Sequence, residues 1–178
     1  LELLTRSEGE SRIVTQSSGA HESGEVNFSD LHREQSYGKW EAYGQSKLAN
    51  LLFAYELQRR LEAAGSTDTL SVACHPGYAA TNLQYRGPKQ DGSKLRLGAM
   101  KAANAVFGQS ARSGALPMLY ASTAPDVQGG DYYGPGGLLN MRGPPEKQSS
   151  NSASYDEDDA ERLWIESERM TGVEFELR

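Results

Sequence analysis

The sequence predicts an α/β fold built on a parallel sheet. Two short runs rich in β-branched or small apolar residues, Arg12 to Gln16 and Leu70 to His75, are separated by one long helical pattern. An aromatic run, Tyr132-Tyr133, returns after further helical segments. Strands that alternate with helices pair in parallel, because each crossover helix carries the chain back to the same end of the sheet. The 178 residues hold one cysteine, 24 acidic and 18 basic side chains and no apolar run of bilayer length, so one domain over residues 1–178 is expected.

Taken in order, Leu1 to Thr5 reads as the last turn of a helix, followed by a polar connector to Ser11. Arg12-Ile13-Val14-Thr15-Gln16 is the first strand, and Ser17-Ser18-Gly19-Ala20 ends it with small residues. A polar stretch from His21 to Lys39 holds one further extended candidate, the edge segment Glu25 to Phe28. From Trp40 to Ala64 the apolar positions Tyr43, Leu48, Leu51, Leu52, Tyr55, Leu57 and Leu61 recur at three- and four-residue steps, and Gly65 supplies the stop. Leu70 to His75 is the second strand, turned by Pro76-Gly77. Residues 78–98 lack periodicity and read as a long loop of the kind that serves as a substrate lid.

Ala99 to Phe107 and Ser110 to Ser122 are helical patterns, the second interrupted at Pro117. Gly129 to Gly137 frames the short aromatic strand with turns, and residues 148–154 form a polar connector. Ser154 and Glu157 are spaced as a capping box, with Asp156, Glu157, Asp158 and Asp159 at the positive end of a terminal helix that Gly172 closes near Thr171. The expected sheet therefore holds about three strands, all parallel.

Several functions are excluded at this level. The formal charge of -6 argues against a general nucleic-acid binder, which needs clustered cations to neutralise phosphates. Cys74 alone permits no internal disulfide and no multi-cysteine zinc site, which points to a reducing, cytoplasmic compartment. His21 and His75 lack partners at ligand spacing, so no metal is expected. Gln16-Ser17-Ser18-Gly19-Ala20 lacks the first glycine of a nucleophile elbow, which argues against acyl transfer.

The constellation that carries chemistry is Tyr43-Gly44-Gln45-Ser46-Lys47. Tyrosine and lysine four apart share one helix face, and an ammonium held there favours the phenolate, the form that lets a phenol exchange protons near neutrality. A serine at the carboxyl end of a neighbouring parallel strand lies where open α/β sheets bind ligands. On these residues alone, an amphipathic helix with a core tyrosine and a snorkelling lysine is the commoner reading, because both residues are frequent in helices.

The neighbouring residues add specificity. Ala42-Tyr43-Gly44-Gln45-Ser46-Lys47-Leu48-Ala49-Asn50 resembles the active-site helix of the short-chain dehydrogenase/reductase family. Arg12 to Ser18 resembles the strand that delivers its serine, and His75-Pro76-Gly77-Tyr78-Ala79-Ala80-Thr81 its cofactor-contacting loop. Ala20-His21, Phe28-Ser29-Asp30-Leu31 and Tyr37, with Leu163-Trp164 near the end, resemble the branch of retinol dehydrogenases and protochlorophyllide reductases.

The resemblance implies the C-terminal half of a Rossmann-like, doubly wound parallel sheet. It implies Tyr43 as general acid/base, Lys47 as the residue that supports the phenolate and holds the nicotinamide ribose, and Ser18 as the hydroxyl that orients the substrate carbonyl. Ser17 is the adjacent alternative. Pro76, Gly77, Ala79 and Thr81 are implied as cofactor-binding positions, with NADP(H) favoured over NAD(H). Leu83, Tyr85, Leu95 and Leu97 either cap a small apolar carbonyl or alcohol substrate or pack on the sheet. The long helix resembles the family's pairing face, so a homo-oligomer is a further implication. No glycine-rich turn of the kind that receives a pyrophosphate occurs in the sequence, and a partial chain is therefore expected. A non-catalytic module that keeps the Tyr-Lys pair by descent stands as the alternative to a dehydrogenase/reductase.

Overall fold

The structure, a computed structural model, describes residues 2–5, 7–78 and 108–175. A short helix, α1 (Glu2–Thr5), leads into strand β1 (Ser11–Gln16), the long helix α2 (Lys39–Ala63) and strand β2 (Thr69–Cys74). Helices α3 (Ala111–Gly114) and α4 (Leu116–Thr123) precede strands β3 (Tyr132–Pro135) and β4 (Pro145–Gln148), and helix α5 (Glu157–Thr171) ends the order. The sheet runs β1-β2-β3-β4. Parallel pairing extends from Ser11 opposite Thr69 to Gln16 opposite Cys74 and continues with Ala73 opposite Tyr132.

The fourth strand corrects the expectation of about three parallel strands. Pro145-Glu146-Lys147-Gln148 pairs antiparallel with β3, from Tyr132 opposite Gln148 to Pro135 opposite Pro145. Its polar sequence without alternation carries no strand signal, because the strand lies at a sheet edge where one side faces water and a first-position proline removes no ladder bond.

Helix α2 lies between the sheet and α5, and this explains its mixed apolar spacing. Leu51, Ala54 and Tyr55 pack with Ala73 and Tyr132 of the sheet, whereas Leu48 and Leu52 pack with Ala160 and Leu163 of α5. Further along, Leu57 and Leu61 meet Trp164. A helix covered on two sides needs apolar residues on more than one stripe, and each fully buried leucine contributes about 1.5–3 kcal/mol. On the opposite face of the sheet, Ala121 of α4 packs with Val72, Cys74, Val127 and Tyr133. Helices thus cover both faces, the doubly wound arrangement.

Three local expectations change. Glu25 to Phe28 makes no strand; Val26 and Phe28 pack against the cluster shared by α2 and α5, and the Asn27 backbone N–H donates to Gln45 Oε1 at 3.0 Å. Asp156, not Ser154, caps α5, accepting from the Asp159 backbone N–H at 2.9 Å. The Ser154 hydroxyl is used inside the preceding 3-10 turn, where it bonds the Asn151 carbonyl at 2.6 Å. At Pro117 the chain makes a boundary rather than a kink: α3 ends at Gly114, and the proline stands in the first turn of α4, where its missing N–H costs no helical bond. Gly172 closes α5 in the left-handed conformation at φ 68°, as the sequence predicts.

Candidate active site

The carboxyl ends of the three parallel strands meet at one edge of the sheet, followed by Ser17-Ser18, His75-Pro76-Gly77 and Gly136. Ser17 continues the ladder by donating its backbone N–H to the Cys74 carbonyl at 2.7 Å. Its side chain is buried and donates to the Lys47 carbonyl of α2 at 2.8 Å. One step on, Asn50 Nδ2 donates to the Gln16 carbonyl at 2.9 Å. Two bonds therefore stitch the end of β1 to the middle turns of α2, and Tyr43 stands one turn before Lys47.

The two serines differ in what their hydroxyls do. Ser17 has its proton engaged by Lys47. Ser18 is half-buried and caps a 3-10 helix, Gly19–Ser23, by accepting from the Ala20 backbone N–H at 3.3 Å. Among the described residues the Ser18 hydroxyl is bonded only as an acceptor, which leaves its proton for another acceptor.

Tyr43 is 38% exposed, and the Lys47 ammonium lies 5.7 Å from the centre of its ring. Among the described residues neither the Tyr43 hydroxyl nor the Lys47 ammonium has a hydrogen-bond or ion-pair partner. The Trp40 ring meets Tyr43 edge-on at 6.4 Å. Gly24 and Gly44 hold the 3-10 helix against α2: a Cβ on Gly24 would stand 2.5 Å from the Gly44 carbonyl oxygen, and one on Gly44 would stand 3.1 Å from the Ala20 carbonyl oxygen.

After β2, Gly77 adopts φ 64°, a left-handed conformation suited to glycine, and a Cβ there would stand 2.4 Å from the Met141 carbonyl oxygen. Tyr78 N–H donates to that same carbonyl at 2.7 Å, and Gln109 Nε2 donates to the Pro76 carbonyl at 2.7 Å. Pro76 and Gly77 thus sit in a tightly held turn beside the strand ends. Ala79, Thr81, Leu83, Tyr85, Leu95 and Leu97, with the rest of the expected lid beyond Tyr78, lie outside the described residues.

Residues without an assigned role at the sequence level complete this edge. His75 is buried; its Nε2 donates to Gln148 Oε1 at 2.9 Å, and its Nδ1 accepts the Gly77 N–H at 3.3 Å. Gln148 Nε2 in turn donates to the Pro135 carbonyl at 3.0 Å, linking β2 to β4 across β3. Burial lowers the His75 pKa from the usual imidazole value, because the charged ring loses its water. His21 and His75 flank the Tyr132 ring, edge-on at 5.6 Å and stacked at 5.3 Å. The sequence signal for Gln148 and Asn151 was only a polar connector; their partners come from distant segments. Among the described residues no helix is long and apolar enough to cross a membrane.

No family model matches the chain. The chain is 37% identical over 172 residues to retinol dehydrogenase 14 of Mus musculus, covering 96% of the chain and 47% of that protein. Polyprenol dehydrogenase of Mus musculus is 38% identical over 164 residues, with 92% and 45% covered. Retinol dehydrogenase 13 of Homo sapiens is 36% identical over 167 residues, with 92% and 46% covered. A crystal structure of an uncharacterized protein from Mycobacterium paratuberculosis superposes with a TM-score of 0.71 at 37% identity, over 94% of this chain and 53% of that one. The chain spans about half the length of the curated relatives it matches, in keeping with the C-terminal half implied by its motifs. Strand order, helices on both sheet faces and these relatives agree, and the chain belongs to the short-chain dehydrogenase/reductase family, on its retinol dehydrogenase-like side.

Proposed function

We propose that this chain carries the proton-transfer and nicotinamide-facing part of a dehydrogenase/reductase that interconverts an apolar alcohol and its carbonyl. The observation that carries the reading is the pair formed by Tyr43 and Lys47: a solvent-open phenol and, among the described residues, an ammonium without an ion-pair partner, one turn apart on the helix that Ser17 ties to the end of β1. An ammonium one turn from a phenol would have a use for its position in holding a cofactor ribose and lending positive charge to the proton-transferring group.

Tyr43 gives a proton to the carbonyl oxygen in reduction and takes it back in oxidation. Ser18 donates its free hydroxyl proton to the same oxygen and fixes its direction. Lys47 would hold the ribose hydroxyls of the cofactor and place its positive charge beside Tyr43. Gly77 is required by its own packing, since a Cβ there would meet the Met141 carbonyl oxygen at 2.4 Å, and Pro76-Gly77 is the turn that the family resemblance assigns to a nicotinamide cofactor. Hydride chemistry belongs to the nicotinamide when it is bound. NADP(H) is favoured over NAD(H) by the branch, and the relatives named for retinol and polyprenol support an apolar alcohol as substrate. Tyr37, two residues before α2, and Trp40, in its first turn, are both exposed and support pairing of two copies through that helix.

The test uses the protein as its gene encodes it. Tyr43→Phe is expected to lower turnover of an apolar alcohol by about 10²–10⁴ while NADPH affinity, read by fluorescence titration, stays within roughly twofold. Near-normal turnover in Tyr43→Phe, or no binding of NADPH or NADH by the unmodified protein, would sink the reading.

A further inference from the structure

We infer that His21 is a positioning residue for Ser18, and that Asn151 holds His21 in place. The inference rests on the proposed role of Ser18. His21 is 2% exposed in the 3-10 helix that Ser18 caps. Its Nδ1 lies 2.7 Å from the Ser18 carbonyl oxygen, and its backbone N–H donates to that same oxygen at 3.0 Å. A carbonyl can only accept, so Nδ1 carries the proton. One carbonyl thus receives two donors from one residue, which fixes the peptide that follows Ser18 and with it the hydroxyl on the other side of the same Cα.

Asn151 closes the arrangement from a segment 130 positions away. Its side-chain Nδ2 donates to the His21 carbonyl at 2.9 Å, and its backbone N–H points to His21 Nε2 at 3.4 Å. Asn151 Oδ1 is itself held by the Ser154 N–H at 3.2 Å. The Glu22 carboxylate lies 3.3 Å from His21 Nε2 and can pair with the ring when it is protonated, but Nδ1 keeps its proton and its bond to Ser18 in either charge state. The Tyr132 ring packs edge-on against the imidazole at 5.6 Å. A serine that accepts a weak 3.3 Å bond from Ala20 is not held by that bond alone; the 2.7 Å ring bond to its carbonyl is the shorter constraint. Small displacements of a group that orients a substrate carbonyl reduce rate rather than affinity for a distant ligand.

Asparagine places an amide nitrogen near the site of Nδ1, whereas glutamine reaches the site of Nε2. His21→Asn is therefore expected to keep most of kcat, and His21→Gln and His21→Leu to lower kcat roughly tenfold to a hundredfold with the KM for NADPH within twofold. In a Ser18→Ala background His21→Leu should change kcat less than twofold, because the group it positions is gone. In the free protein, nitrogen NMR of the His21 ring should show the proton on Nδ1 between pH 7 and 8. Equal loss in His21→Asn and His21→Gln, full additivity with Ser18→Ala, or a proton on Nε2 would overturn the inference. A Ser18→Ala variant with normal turnover would overturn it together with the role of Ser18, and that failure is recognised at Ser18 before any His21 variant is made.

Discussion

Ser17 and Ser18 are neighbours with opposite duties, and substitution separates them. Ser17→Ala removes the buried bond to the Lys47 carbonyl, a loss of about 1 kcal/mol that lowers Tm by about 2–4 °C and leaves turnover close to normal. Ser18→Ala leaves the Ser17 tie intact; its expected signature is a fall in kcat with Tm nearly unchanged. The reverse pattern in calorimetry and steady-state kinetics would exchange the two roles. The sequence could place a serine pair at the end of β1 but left open which hydroxyl is free, because that depends on Lys47, thirty positions away. His21 was equally opaque: as a letter it suggested a loop histidine, and only its burial against Ser18, Asn151 and Tyr132 shows what it holds.

Among the elements, α2 was the most legible, since its apolar spacing and Gly65 survive in the structure with a shift of one residue at each end. Its contact with the Gly19–Ser23 helix was not legible, because it depends on two glycines, Gly24 and Gly44, brought together by the fold. Gly24 has an ordinary φ of -77°, so the constraint there is steric rather than conformational. Gly24→Ala sets its new methyl group against the Gly44 carbonyl at 2.5 Å and Leu48 Cβ at 2.9 Å. A destabilisation of about 1–3 kcal/mol follows, read as a lower urea midpoint, together with reduced turnover because the Ser18 loop moves away from Tyr43. Gly19→Ala meets nothing within 4 Å and serves as the control in the same loop. Strand β4 marks the opposite limit: a polar edge strand has no periodic signature, yet it supplies Gln148, which ties His75 to the Pro135 carbonyl.

At the scale of the whole molecule, the buried His75 couples stability to pH. Burial lowers its folded-state pKa below the ordinary 6.5, so between the two values the unfolded chain binds the additional proton. Stability is then fully present above about pH 6.5 and falls as pH drops through the window below it. Urea unfolding at pH 7.5, 6.5 and 5.5 should show the midpoint falling over the lower interval, and His75→Gln should flatten that fall. A His75→Gln variant with the same slope as the unmodified protein would show that other groups govern it.

By itself the sequence determined the order of strand, long helix and strand, the left-handed close at Gly172, and the three motifs that place Tyr43, Lys47 and a serine in one family's order. These are local patterns, written by backbone periodicity and by residue types that only certain turns accept. The tertiary structure alone decided that Asp156 caps α5, that a fourth strand closes the sheet edge, and that Asn151, His21 and Ser18 form one hydrogen-bonded chain. Each of those outcomes turns on which polar group finds a partner first when distant segments are buried together, and a buried donor or acceptor selects its partner by position in space rather than by neighbours in sequence.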